Sequence, residues 1–91
     1  MRIKTNHCYK YREIAGHFYL IPVGEAAERS KTPLQLTETA AWIWTKMEEE
    51  SSTEEIAFEM IKEYEVSLDD ARNAVEQYAA LLLDKGMAEK K

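Results

Sequence analysis

The hydrophobic pattern of this chain changes period near Thr37, and that change limits the folds open to it. Upstream, Cys8-Tyr9-Lys10-Tyr11-Arg12-Glu13-Ile14 alternates apolar and charged side chains, as a half-buried strand does. Ala15-Gly16-His17 supplies a turn, because glycine tolerates positive φ. Phe18-Tyr19-Leu20-Ile21 is a short β-type run stopped by Pro22, which completes a hairpin. Residues 24–32 are polar and aperiodic and read as a loop. Pro33-Leu34-Gln35-Leu36 reads as a third strand, with its proline tolerated on a sheet edge.

Downstream the period becomes helical. Thr37 is the expected N-cap of a helix over 38–49. Its Ala40, Ile43, Trp44 and Met47 share one face, and Trp42 points away. Ser52 with Glu55 forms a capping-box pattern that starts a second helix, whose stripe is Ile56, Ala57, Met60, Ile61 and Tyr64. Ser67 caps a third helix, and Asp69 and Asp70 in its first turn favour the positive end of the dipole. This helix runs to about Lys85, where Gly86 suits the left-handed residue that ends a helix. The expected architecture is α+β and winged-helix-like: a three-stranded antiparallel sheet followed by three helices, as one domain over residues 1–91. A three-stranded sheet cannot bury its face alone, so the helices must cover it.

Composition excludes several classes of function. A 91-residue chain builds a modest core with little room for a deep catalytic cavity. The net charge of −5 repels phosphate backbones, which disfavours nucleic acid as a partner. On the third helix Asp69, Asp70, Glu76 and Asp84 outnumber Arg72 and Lys85, the wrong balance for an element entering a groove of DNA. Cys8 is the only cysteine, so no internal disulfide can form, which fits a reducing compartment. No run reaches membrane-span length and the N-terminus lacks a signal-peptide core. A cytoplasmic protein is expected.

The residues of reaction chemistry are equally sparse. His7 and His17 are the only histidines, and a nucleophile needs a paired base. Neighbours in a strand point to opposite faces, so His7 and Cys8 are not expected to meet. One cysteine and two separated histidines do not compose a zinc site, and the three glycines are too scattered for a phosphate loop. No enzyme activity, metal or cofactor is expected.

Two features point to binding. On the third helix Leu68, Ala71, Ala74, Val75, Tyr78, Ala79, Leu81, Leu82 and Leu83 sweep about 200° at about 100° per residue, more than one core contact needs. Ala71, Val75, Tyr78 and Leu82 form a core stripe. Arg72, Ala79 and Leu83 lie on one shoulder, and Ala74 and Leu81 on the other. One shoulder can line an apolar groove, or both can pack inside. The short strand 33–36 follows a long polar loop and reads as an edge, whose unpaired backbone can template another chain.

Tyr19-Leu20-Ile21-Pro22-Val23-Gly24, Leu36-Thr37-Glu38-Thr39-Ala40, Ile43-Trp44, Thr53-Glu54-Glu55-Ile56, Glu63-Tyr64-Glu65-Val66 and Leu81-Leu82-Leu83-Asp84-Lys85-Gly86-Met87, in that order and spacing, resemble the PqqD-like family over about residues 9 to 88. Thr37 departs from the asparagine usual in that family, and it too can cap a helix. The resemblance implies a recognition element for leader peptides in the biosynthesis of ribosomally made, post-translationally modified peptides. It implies a leader bound as an added strand beside the third strand and against the third helix. A modifying enzyme, often of the radical S-adenosylmethionine type, would be the second partner and would hold the iron–sulfur chemistry. On this reading the peptide-binding residues are Leu34, Gln35 and Leu36, with Arg72, Val75, Glu76, Ala79 and Leu83. Arg72 would attract an acidic leader residue, and Val75, Ala79 and Leu83 would receive apolar ones. The alternative is a structural or regulatory subunit that docks on an enzyme through Trp42 or Phe58 and binds no peptide. An open edge also permits a homodimer by strand exchange.

Overall fold

The computed structural model describes residues 1–29 and 31–91. In chain order the elements are β1 (Arg2–Thr5), β2 (Tyr9–Ile14), β3 (His17–Pro22), α1 (Glu25–Arg29), β4 (Leu34–Leu36), α2 (Glu38–Met47), β5 (Ser51–Ser52), α3 (Thr53–Glu63), α4 (Leu68–Asp84) and β6 (Ala88–Lys90). The expected three-stranded antiparallel sheet is present in the order β2-β3-β4, and α2, α3 and α4 follow it. Ala15 and Gly16 have φ of 53° and 79°. Positive φ at both central residues is what a two-residue type I′ hairpin turn requires.

Three features depart from the expectation. A second antiparallel sheet, β5-β1-β6, joins the two ends of the chain to the start of α3. Ile3 and Thr5 point inward from β1, and Ile3 is completely buried. Residues 25–29 form a helical turn rather than loop, begun by Ala27 and Glu28 N–H groups that donate to the Gly24 carbonyl. His7 and Cys8 lie in a turn rather than a strand, where the Cys8 N–H donates to Asn6 Oδ1 at 3.1 Å. They line different clefts.

The helix ends follow local chemistry. The Thr37 hydroxyl accepts from Ala40 N–H, and the Ser67 hydroxyl from Asp70 N–H, each at 3.1 Å. Ser52 Oγ accepts from Glu54 and Glu55 N–H and donates to the Glu54 carboxylate at 2.7 Å. In place of a reciprocal capping-box arm, the Glu55 carboxylate approaches Arg2 Nη1 at 3.9 Å. Ser52, the backbone and the N-terminal amine together hold the Glu54 carboxyl at about 2, well below its usual range. At the far end of α4, Gly86 has φ of 71°. Gly86 N–H donates to Leu83 O and Met87 N–H to Leu82 O, the paired bonds of a Schellman end.

Trp44, Ile3, Leu20, Met47, Ile56, Leu82 and Val75 form the centre of one core between the β2-β3-β4 sheet, the terminal sheet and the helices. On α2 it is Ala41, not Ala40, that is buried with Ile43, Trp44 and Met47.

Candidate functional site

β4 is the outer strand of its sheet and pairs only with β3. Its ladder phase follows from two facts. Val23 N–H donates to Cys8 O, so the odd-numbered residues at this end of β3 direct their backbone groups toward β2. Pro22 has no N–H to give, and it occupies the opposite phase. Phe18 and Leu20 therefore turn toward β4 and exchange hydrogen bonds with Leu36 and Leu34. Gln35, opposite Tyr19, is left as the one residue of β4 whose N–H and C=O point away from the sheet. Its side chain lies on the outer face, where Nε2 is 3.3 Å from His17 Nδ1. Leu34 and Leu36 lie on the inner face with Leu20; Leu34 is 42% exposed and Leu36 packs on the core.

An open groove of about 470 Å³ begins where β4 turns into α2. Its walls are Thr37, Ala40 and Ile43 on one side and Ala74, Gln77, Tyr78 and Leu81 of α4 on the other. Leu81 is 46% exposed and so offers apolar surface that the fold leaves uncovered. The Tyr78 hydroxyl is buried with no hydrogen-bond partner among the described residues, and burial pushes its pKa up to about 12. The groove is therefore largely apolar at α4, and it begins at Thr37, directly after the ladder-competent strand β4.

The residues expected to bind peptide fall into different environments. Val75 and Ala79 are fully buried and belong to the core. They sit in the middle of the α4 arc, and their neighbours close over them, so they do not line a groove. Glu76 accepts a 2.6 Å bond from Thr53 Oγ1, which turns the shoulder bearing Arg72, Glu76 and Leu83 toward α3. Leu83 is half-buried against the core, and Arg72 is exposed on that flank. The groove instead lies on the shoulder of Ala74 and Leu81. Helical periodicity defines both shoulders, but only the position of α3 shows which one is free. Trp42 is half-buried rather than exposed: it meets Tyr64 edge-on at 5.8 Å, with Lys46 Nζ 5.3 Å above its ring. Phe58, by contrast, is 49% exposed on α3. Leu34, Gln35 and Leu36 form the strand as expected.

Among the described residues no group of three His, Cys, Asp or Glu side chains is placed to hold a metal ion. No helix there is long and apolar enough to cross a membrane.

The fold and groove define a small α+β domain with an unfilled sheet border beside an apolar helix wall. The sequence profile of the family described as coenzyme PQQ synthesis protein D (PqqD) matches residues 26–88, more than half of the chain. The chain belongs to the PqqD family. Two solved structures share the fold nearly end to end. One is TbiB1 in complex with the TbiA(beta) leader peptide, with a TM-score of 0.76, 20% identity, and 97% of this chain and 96% of that one covered. The other is lasso peptide synthetase B1 complexed with the leader peptide, with a TM-score of 0.77, 24% identity, and 97% and 98% covered. No curated protein matches the chain.

Proposed function

We propose that this chain is a non-catalytic peptide chaperone. It binds the leader segment of a precursor peptide as a strand added to β4 and presents it to a modifying enzyme. The observation behind this reading is the outward-facing Gln35 backbone, two residues ahead of Thr37, where a groove walled by Ile43, Tyr78 and Leu81 begins. An extended peptide can take its register from Gln35 and place alternate side chains toward the groove. Leu34 and Leu81, both partly exposed, supply the apolar surface such a peptide would cover. That the two structural neighbours are leader-peptide complexes agrees with this use of the fold.

The enzyme partner is proposed to be of the radical S-adenosylmethionine type, on the family resemblance, and Phe58 is the exposed aromatic proposed to meet it. Phe58 lies on α3, which contributes no residue to the groove walls, so peptide and enzyme need not compete.

Titrating the ¹⁵N-labelled chain with the leader half of candidate precursors tests the reading. Amide shifts at Gln35 and along 74–81 are expected. Silence there, together with tight binding to the enzyme alone, would favour a docking subunit that takes no peptide.

A further inference from the structure

The opposite border of the same sheet, β2, is six residues long against three for β4, and it too pairs on one side only. The Val23–Cys8 bond fixes its phase: Lys10, Arg12 and Ile14 direct their backbone groups to β3, and Tyr9, Tyr11 and Glu13 direct theirs outward. An open cleft of about 510 Å³ runs along this border, with Thr5, Asn6 and Glu48 among its lining residues.

The charge on this border is unusual for the chain. Lys10 and Arg12 are exposed on the outer sheet face, and neither makes an ion pair among the described residues. Ile14, His17, Tyr19, Ile21 and Gln35 share that face by alternation, and none is a carboxylate. The whole chain has 17 acidic residues against 12 basic ones, so a carboxylate-free face with two unpaired cations stands apart. Glu13 belongs to the inner face by the same alternation. Glu48 is near enough to the inner-face Tyr11 to raise its pKa, after the larger effects of burial and Glu13. Arg12 Nη1 folds back to donate to Tyr11 O at 2.8 Å, which fills the place a partner strand's N–H would take.

We propose that the β2 border receives an extended acidic segment of a partner protein. Its carboxylates, at alternate positions, would face Lys10 and Arg12, and uncharged side chains between them would lie beside Tyr9 and Tyr11. A second copy of this chain does not fit. With Tyr9, Tyr11 and Glu13 facing outward, the two ladder-competent antiparallel registers of greatest overlap set Lys10 opposite Arg12 or Arg12 opposite Arg12, and like charges so placed repel. The border thus rejects itself and selects the opposite charge.

The test uses the full chain and an end-blocked peptide of alternating glutamate and valine, followed by ¹⁵N amide shifts. Shifts confined to residues 9–13 are expected. Lys10→Glu with Arg12→Glu should weaken binding about tenfold, from two lost cross-strand charge pairs, and should create binding of the lysine–valine counterpart. Glu13→Pro removes an outward N–H without breaking a ladder bond and should also weaken binding. Gln35→Pro should leave it unchanged, which separates this border from β4. Equal binding of a glutamate–proline peptide, which cannot form a ladder, would overturn the proposal by showing charge attraction alone. So would an absence of shifts, or shifts on β4 instead. Lys10 and Arg12 are exposed, so the amide spectrum of the double variant should retain the native dispersion; if it does not, Glu13→Pro decides alone.

Discussion

Proline at position 35 separates the backbone of β4 from every side chain near it. Leu34 and Leu36 hold β4 to β3, and the Gln35 N–H faces away from the sheet. A proline there breaks no ladder bond and sits after an extended residue, as proline prefers. The Gln35→Pro domain should therefore fold, with an unfolding midpoint close to that of the parent. The bound leader, however, loses a donor in the middle of a three-residue border. The missing hydrogen bond costs about 1 kcal/mol, and the leader carbonyl left without a partner costs about 1–3 kcal/mol more. Together these raise Kd by about 30-fold to 1,000-fold. Gln35→Ala is the control: it keeps the N–H, gives up only the contact with His17, and should bind within about threefold of the parent. Isothermal titration calorimetry with one leader peptide against all three proteins measures the difference. A folded Gln35→Pro domain that binds as tightly as the parent would refute strand addition at β4.

Leu81→Glu should reduce leader affinity by about tenfold or more while leaving the fold intact, because its side chain is half exposed over the groove. Leu83→Glu should do the reverse: urea denaturation should show about 1–3 kcal/mol of lost stability from a charge forced against the core. Ala79→Leu should overpack the centre of α4 and cost about 1–3 kcal/mol in the same assay. Tyr78 gives an alkaline signature. Its folded pKa is raised from 10.0 to about 12, so its contribution is complete below pH 10 and is lost as pH rises through 12, since the unfolded chain releases that proton first. Tyr78→Phe should remove this component of alkaline unfolding, and it breaks no hydrogen bond among the described residues.

What the sequence revealed about this molecule was what short-range chemistry controls. The caps at Thr37, Ser52 and Ser67, the glycine stop at Gly86 and the Ala15-Gly16 turn each act within a few residues, so each is legible from the letters alone. β1, β5 and β6 are not. They are two to four residues long and exist because Ile3 finds Ser51 and Lys90 across most of the chain, which no local window registers. α1 is too short to display a period. The border strand 34–36 was legible through its proline and brevity. The groove was legible only as an excess of apolar arc on α4. Thr53 Oγ1, bonded to Glu76, commits one shoulder to α3 and leaves Ala74 and Leu81 free, a choice made by tertiary packing. Leu81 did leave a trace, as a large apolar side chain outside the core stripe.

Ser52 has two duties: it pairs with Arg2 in the terminal sheet and it caps α3. The neighbouring Thr53 then reaches across to α4. The clasp of β1, β5 and β6 is thus linked through α3 to the helix that walls the groove. Anything that prises residues 2–5 loose would be felt at Glu76, well away from the fastening, so the α4 wall of the groove is coupled to a small sheet on another part of the domain.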